Sequence, residues 1–488
     1  MNKDLKSLQP ALVWKHFAEI VQIPRPSSHE ERIRQYIIDF AAAQGLECRE
    51  DGAHNVYVAK PATPGMEHRK GVVLQAHLDM VPQKNNDKVF NFETDPIEAY
   101  IDGEWVTADG TTLGADNGIG VAAILAVLED KTLQHGPIEA LFTATEETGM
   151  DGAFGLEGGL LKGEILLNLD SETEGELYVG CAGGLDASTT FTYTAEPTPA
   201  SGSVALRLVA KGMKGGHSGI QIGYGRANAN KVLFRFLLAA AAKRALRIAS
   251  VDGGGLRNAI PREAEAVVVI PAAEKAAVTA ELAAYEQTVI AEFKGIEEHI
   301  AIFAEEVPMP AEMLPATVSD ALVKAIVACP DGVQRMSVAM EGLVQTSTNL
   351  ARVVSNGSTV RVQSLLRSSV RSEKEALGAA MAALFTLAGA ETVLSGSYDG
   401  WNPDMQSPIL AAMTASYEEL FGRRPAVTAI HAGLECGIIG SKYPGLDMIS
   451  FGPTICYPHS PDEKVEIASV GKFYDFLVQT LLRVPEKA

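Results

Sequence analysis

The first candidate for chemistry is a histidine and an aspartate that follow an apolar run. Val72–Leu74 predicts a buried strand, and His77 and Asp79 lie just beyond it, two positions apart. Residues at that spacing share one face of a strand. An imidazole on this face can bind a metal ion while the carboxylate fixes its surroundings. Taken by itself, a histidine at a strand end is more often a satisfied polar residue than a metal ligand.

Five further residues carry ligand-type side chains at strand ends or in glycine-rich turns. They are Asp116 in the turn Gly114–Gly118, the pair Glu146 and Glu147 after the predicted strand Ile138–Ala144, Asp170 after the predicted strand 164–169, and His459 after an apolar strand that ends at Phe451. Each has an ordinary alternative, such as a turn residue, a helix cap or a solvated carboxylate. Together, two imidazoles and several carboxylates match the ligands that zinc prefers. A carboxylate that bridges two cations about 3.5–4 Å apart serves amide hydrolysis. The residues alone leave open which of Glu146 and Glu147 would bind a metal.

The pattern of elements changes twice along the chain. Strands alternate with helices up to residue 186 and again from residue 396, which predicts an α/β layer with a mixed, largely parallel sheet flanked by helices. Between them, amphipathic strands and long helices predict an α+β domain. We therefore expect one domain built from residues 1–186 and 396–488, with residues 187–395 inserted. Ser28 and Glu31 resemble a capping box at the start of a helix.

Composition excludes several classes of protein. The chain has 488 residues, five scattered cysteines and a formal net charge of −20, so we expect neither a disulfide framework nor binding to nucleic acid. It has no apolar run long enough to span a membrane, and Met1–Leu5 does not resemble a secretory signal. We expect a cytoplasmic protein without a membrane partner.

Four motifs, in this order, resemble the M20 family of metallopeptidases, and in particular its bacterial aminoacyl-histidine dipeptidases. They are His77–Pro82, Gly114–Gly118, Thr145–Glu147 and Asn168–Glu172. The resemblance covers essentially the whole chain. It implies a dipeptidase that hydrolyses unblocked dipeptides, Xaa-His among them, with two divalent metal ions. Zinc is expected, and cobalt or manganese are alternatives. It also implies that the inserted domain is a lid and dimerisation domain, and that the chain forms a homodimer.

The resemblance further implies a role for each candidate of the α/β domain. Asp116 would bridge the two metals, His77 and Asp170 would complete one, and Glu147 and His459 would complete the other. Asp79 would hold the His77 imidazole, and Glu146 would be the general base. The peptide bond after Asp116 would be cis.

The inserted domain would supply groups that bind the substrate. His217 would donate a hydrogen bond to the oxyanion, in many related dimers across the subunit interface, although a loop histidine beside glycines is the alternative. Asn258 and Arg367 would hold the substrate carboxylate, with a surface strand residue as the alternative for Arg367. His431 and Gly433 would line the site, and Glu435 receives no role.

Two competing functions share much of this pattern. An N-acyl-amino-acid amidohydrolase would use the same metal ligands, and only the substrate pocket would differ. A metal-dependent binding protein without catalysis would be expected to lack the base, yet Asp79, Glu146 and His217 are all present. An enzyme is therefore favoured over a binding protein, with the dipeptidase as the first hypothesis and the amidohydrolase as the alternative.

Overall fold

The computed structural model describes residues 5–487, which form two compact units. The first unit runs to Gly180 and continues in Pro403–Ala429 and from Leu434 onward; the second holds Cys181–Asn402 and Ile430–Gly433. The second unit therefore starts before the predicted boundary at 187 and ends after the one at 395, because Cys181 and Trp401 exchange two backbone hydrogen bonds of 2.9 Å. Met1–Asp4, used in the prediction about a signal, lie outside the described residues.

Most helices of the described chain are separated by strands. Their bounds are α1 Ala11–Ile20, α2 Glu31–Gln44, α3 Ala115–Glu129, α4 Glu146–Gly149, α5 Asp151–Gly155, α6 Ala229–Ala241, α7 Lys275–Glu292, α8 Ala316–Ala328, α9 Arg371–Leu387, α10 Pro408–Phe421, α11 Glu435–Lys442 and α12 Ile467–Leu482. Helix α2 follows α1, and α5 follows α4, with no strand between them. Within residues 5–487, no helix is both long and apolar enough to cross a bilayer.

The strands form one large sheet in each unit and three small ones. Their bounds are β1 Glu47–Glu50, β2 Val56–Lys60, β3 Val72–His77, β4 Ala99–Asp102, β5 Trp105–Ala108, β6 Ile138–Thr143, β7 Ile165–Asn168, β8 Glu176–Cys181, β9 Gly183–Thr192, β10 Glu196–Pro197, β11 Ser203–Lys211, β12 Gly216–His217, β13 Arg247–Gly253, β14 Ala259–Ile260, β15 Ala264–Pro271, β16 Ala301–Val307, β17 Glu312–Met313, β18 Gly332–Met336, β19 Val344–Asn356, β20 Thr359–Ser368, β21 Glu391–Tyr398, β22 Ala426–Ile430, β23 Asp447–Ser450, β24 Ile455–Cys456 and β25 Lys464–Glu466.

The large sheet of the first unit is mixed and has a parallel centre. Its order is β1-β2-β6-β3-β7-β23-β8-β22, and the four central strands β6, β3, β7 and β23 run parallel to one another. Every residue of β3, β6 and β7 is buried, as expected for strands covered on both faces. The predicted α/β class with a mixed sheet is confirmed.

Helix α3 is the most deeply buried helix of the first unit. All its residues from Ala115 to Leu128 are buried, and it packs against α1 and β3. Its apolar side chains point in every direction, which is typical of a core helix rather than a surface one. The start of α3 is therefore held firmly at the end of β3, where the candidate residues lie.

The second unit is built on a nine-stranded sheet. Its order is β16-β11-β15-β13-β19-β20-β9-β21, with β18 also paired to β19, and neighbouring strands run antiparallel. Helices α6, α8 and α9 pack on this sheet and share one apolar core with it. The α+β character predicted for the inserted segment agrees with this arrangement.

Candidate metal centre and active site

The candidate ligands of the first unit lie at one edge of its sheet. His77 ends β3, Glu146 and Glu147 start α4 shortly after β6, and Asp170 follows β7. Because β3, β6 and β7 are parallel neighbours, their carboxyl ends meet at this edge, where α/β proteins place their sites. Asp116 reaches the same place from the start of α3.

The two oxygens of Asp116 face two different imidazoles. Oδ1 lies 3.0 Å from Nε2 of His77, and Oδ2 lies 3.1 Å from Nε2 of His459. The His77 nitrogen is also 3.3 Å from Asp170 Oδ1, and the His459 nitrogen is 3.0 Å from Glu147 Oε2. There are thus two groups of potential ligands that both contain Asp116, and the ligand atoms within each group lie within 4.8 Å of one another. The peptide bond from Asp116 to Asn117 is cis, as the resemblance implies.

The carboxylates change the pKa values of this cluster in the metal-free chain. Burial opposes protonation of His77, but Asp170, Asp116 and Asp79 together raise its pKa well above the ordinary value. Hydrogen bonds to Asp116 and Glu147 raise the pKa of His459 to about 11. Burial raises the pKa of Asp170 to about 6. The edge of the sheet thus attracts positive charge strongly.

Asp79 connects His77 to the turn that carries the two glutamates. Its Oδ1 accepts a hydrogen bond from the Glu146 N–H at 2.9 Å and lies 3.2 Å from Nδ1 of His77. Its Oδ2 accepts from the Glu147 N–H at 3.1 Å and from the Ser27 hydroxyl at 2.8 Å. One buried carboxylate therefore aligns an imidazole and a backbone turn.

Glu146 is surrounded by other carboxyl groups. Burial raises its pKa well above the ordinary value, His77 opposes this, and Asp170, Glu435 and Glu147 add to it. A carboxyl group with a raised pKa can take up and release a proton near neutral pH.

Two buried charged residues that the sequence analysis did not single out hold the loops of this site. Arg25 donates hydrogen bonds to the carbonyl oxygens of Leu78 at 2.8 Å, Asp79 at 2.7 Å and Gly114 at 2.5 Å. Glu463 accepts hydrogen bonds from the four consecutive N–H groups of residues 113–116, at 2.7–3.3 Å. Both residues fix the turn that leads into Asp116.

The second unit brings several of its own candidates together. His217 Nδ1 accepts hydrogen bonds from the N–H groups of Gly219 and Ile220, both at 3.1 Å. When the ring is neutral its proton therefore lies on Nε2, which makes Nε2 a donor. Burial, and then the charge of Arg367, lower the pKa of His217, which favours that neutral form.

Arg367 lies beside His217 and His431 in the second unit. A side chain added at Gly219 would approach His217, Arg367 and the backbone of His431 at once, within 3.1 Å of each. Arg367 is 6% exposed, its Nη1 lies 3.5 Å from the Tyr398 hydroxyl, and its Nε has no hydrogen-bond partner among residues 5–487. No carboxylate in that range forms an ion pair with it. A buried, unpaired guanidinium is suited to binding an anion.

The other substrate-binding candidates differ in their settings. His431 Nε2 lies 2.7 Å from the Ser347 hydroxyl, and burial followed by Arg367 lowers the His431 pKa to about 3. Gly433 faces the ring of Tyr398, where an added Cβ would lie 2.9 Å from the hydroxyl oxygen. Asn258 is exposed, and its carbonyl oxygen accepts a hydrogen bond of 2.8 Å from the Ser218 N–H.

Comparison with known proteins decides the family. The model of peptidase family M20/M25/M40 matches residues 73–483. The chain belongs to this family. This M20 chain is 47% identical over 485 residues to the cytosol non-specific dipeptidase of Escherichia coli (strain K12), covering 99% of the chain and 100% of that relative.

Solved structures agree with this assignment. The M20 chain matches the aminoacylhistidine dipeptidase from Vibrio alginolyticus with a TM-score of 0.95 and 50% identity, covering 99% of each chain. It matches the aminopeptidase PepT from Bacillus cereus with a TM-score of 0.56 and 16% identity, covering 98% of this chain and 99% of that one, which is a likeness of fold alone. The resemblance to M20 metallopeptidases is confirmed.

The donor set of this M20 peptidase fits a pair of divalent cations. Two imidazoles and several carboxylates converge, and one carboxylate is common to both groups. In addition, Oε1 of Glu147 is buried without a hydrogen-bond partner in the described chain. A buried carboxylate oxygen without a partner is costly, and a bound cation would satisfy it.

Proposed function

We propose that this chain is a two-metal dipeptidase that hydrolyses unblocked dipeptides with broad specificity, Xaa-His among them. The observation that carries the proposal is the Asp116 carboxylate, whose two oxygens face His77 and His459 within two overlapping ligand groups. Identity over the full length with a dipeptidase from Escherichia coli supports the substrate class.

In the proposed centre, Asp116 would contribute to both metal sites. His77 and Asp170 would complete one site, and Glu147 and His459 would complete the other. Zinc is the proposed metal because histidine and carboxylate suit it, while cobalt and manganese accept the same ligands. When bound, two such cations polarise the scissile carbonyl and lower the pKa of water.

Glu146 is the proposed general base. It accepts a proton from the attacking water and delivers it to the leaving amine, and its raised pKa suits both steps. Asp79 keeps the base in position through the hydrogen bond to the Glu146 N–H.

The second unit supplies the proposed groups for the substrate. His217 donates from Nε2 to the oxyanion, because its Nδ1 already accepts two N–H groups. Arg367 and Asn258 bind the substrate carboxylate, and His431 and Gly433 line the pocket. We further propose that residues 187–395 act as a lid and dimerisation domain of a cytoplasmic homodimer.

The test is hydrolysis of a Xaa-His dipeptide by wild type and Glu146→Ala, each stripped of metal and reloaded with zinc. We expect wild type to require metal, and Glu146→Ala to bind zinc normally but to lose at least about a hundredfold in rate. If zinc-loaded wild type cleaves the N-acetylated amino acid and leaves the dipeptide intact, the chain is an N-acyl-amino-acid amidohydrolase instead.

A mixing experiment tests the dimer. If His217 acts across the subunit interface, combining His217→Ala with Glu146→Ala protein restores part of the activity once subunits exchange. No recovery after demonstrated exchange would rule out action across the interface.

A further inference from the structure

A chain of buried polar side chains lies behind the metal-binding edge of the first unit. Gln75 precedes His77 by two residues on β3, and Asn168 on β7 is its partner in the parallel register. The Asn168 amide donates to Gln75 Oε1 at 2.5 Å, and the Gln75 amide donates to Glu435 Oε2 at 2.6 Å. The Thr143 hydroxyl donates to the same oxygen at 2.8 Å. The chain of hydrogen bonds therefore ends at the Glu435 carboxylate.

The charge of Glu435 has no partner in the described chain. The residue is 1% exposed, and no Lys, Arg or His among residues 5–487 forms an ion pair with it. Its Oε1 has no hydrogen-bond partner in that range. Buried carboxylates are rare unless they are paired, because losing hydration costs several kcal/mol.

The surroundings of Glu435 point to the metal centre as the missing partner. Thr143, which donates to the Glu435 carboxylate, is the register partner of His77 between β6 and β3. Among the charged groups that act on Glu435, His77 is the strongest, followed by Asp170 and Asp79. These are two candidate ligands and the residue that supports one of them. Glu435 itself belongs to none of the ligand groups.

We propose that Glu435 is a positioning and charge-compensating residue of the two-metal centre: Gln75 and Thr143 hold its carboxylate behind His77, and its negative charge stabilises the bound cations. This inference rests on the proposed metal site. Its loss is expected to weaken zinc binding about tenfold or more, which is the usual effect of removing a partner that lies beyond the ligands.

The variant Glu435→Gln separates this role from a structural one. The amide oxygen can accept both hydrogen bonds now made by Oε2, and the amide nitrogen replaces the oxygen that has no partner. No hydrogen bond is lost and a buried charge is removed. The metal-free variant should therefore melt at the same or a higher temperature than metal-free wild type, while its zinc affinity falls. A purely structural role would lower the melting temperature and leave zinc affinity unchanged.

The experiment uses the full chain, stripped of metal, at pH 8.5. Zinc affinity is measured by competition with a chromophoric chelator, and thermal unfolding is recorded with and without zinc. The matched control is Glu139→Gln, which alters another buried carboxylate of this unit. The Glu139 carboxylate accepts hydrogen bonds of 2.9 Å from the Tyr57 hydroxyl and from the N–H groups of Lys162 and Gly163. The control should melt at a lower temperature and bind zinc normally. Glu435→Asp keeps the charge and should keep zinc affinity within about threefold of wild type.

Three results would overturn the inference. They are equal zinc affinity in wild type and Glu435→Gln, a lower melting temperature of the metal-free variant, and a Glu435→Asp variant that binds zinc as weakly as Glu435→Gln. If wild type itself takes up no zinc, the proposed metal site fails along with the role of Glu435, so the two failures are distinguishable.

Discussion

Replacing Asp79 by asparagine removes the group that aligns both His77 and the turn at Glu146. The carboxylate accepts hydrogen bonds from the N–H groups of Glu146 and Glu147 with different oxygens. An amide has a single acceptor oxygen. One of the two N–H groups must therefore lose its acceptor and face an NH₂ group, whichever way the amide is turned.

The expected cost follows from those contacts. A hydrogen bond to a charged acceptor is worth about 1.5–3 kcal/mol, and a buried N–H left without a partner costs about 1–3 kcal/mol. We expect Asp79→Asn to destabilise the metal-free first unit by about 3 kcal/mol at pH 7. Burial alone would raise the pKa of Asp79, but His77 holds this pKa below its ordinary value. The contribution is thus present above the unfolded pKa and is lost as the pH falls through the folded pKa.

Urea unfolding followed by tryptophan fluorescence measures this loss. Trp14 and Trp105 lie in the first unit and Trp401 in the second, so the signal reports mainly on the unit that carries Asp79. With a slope of about 3 kcal/mol per molar, the midpoint should fall by about 1 M. The matched control, Ser27→Ala, removes one hydroxyl hydrogen bond to the same carboxylate and should cost about 1 kcal/mol.

The same variant should also lose activity. Misalignment of His77 and Glu146 is expected to lower dipeptide hydrolysis by about 10–100-fold after zinc reloading. An Asp79→Asn protein that unfolds within about 0.5 kcal/mol of wild type and keeps its rate would refute the alignment argument.

Two further predictions concern the proposed ligands and substrate. Arg367→Met should raise KM for an unblocked dipeptide about fiftyfold, which corresponds to the loss of about 2–3 kcal/mol from a charged contact. Its kcat should change less than about threefold. An unchanged KM in steady-state assays would contradict binding of the substrate carboxylate by Arg367. Zinc binding at pH 7 should release more than about one proton per chain, because the pKa values of His77 and His459 are raised in the metal-free protein. Calorimetry in buffers of different ionisation enthalpy measures this release, and none at all would contradict the ligand assignment.

The candidate metal ligands could be predicted from sequence because each is tied to a strong local pattern. His77 and Asp170 follow apolar strands, and Asp116 lies in a glycine-rich turn before an apolar helix. Such patterns locate strand ends, and parallel strands bring their carboxyl ends together. The position of these residues at a strand end or turn can therefore be read from neighbouring residues in the sequence, without knowing which distant segments they contact.

Contacts between distant segments could not be predicted in this way. The predicted capping box fails because Ser28 does not cap α2; instead Glu30 accepts hydrogen bonds from the N–H groups of Ser28 at 3.1 Å and Thr145 at 3.0 Å. Glu463 reaches Gly114 from the far end of the sequence. The sequence separation of these partners follows no regular pattern, because they become neighbours only in the folded structure. The return of Ile430–Gly433 to the second unit has the same origin.

The order in which the chain is assembled into two units has a consequence for its synthesis. The second unit is nearly complete at Asn402, and only Ile430–Gly433 joins it later. The first unit is completed only when β23, Glu463 and α12 have been made, and its proposed ligand His459 is among the last groups to be made. Because domains fold during synthesis as their segments emerge, a growing chain carries a folded insertion well before it carries a finished catalytic centre. If His459 holds a metal ion as proposed, a chain truncated before His459 is expected to have no hydrolytic activity.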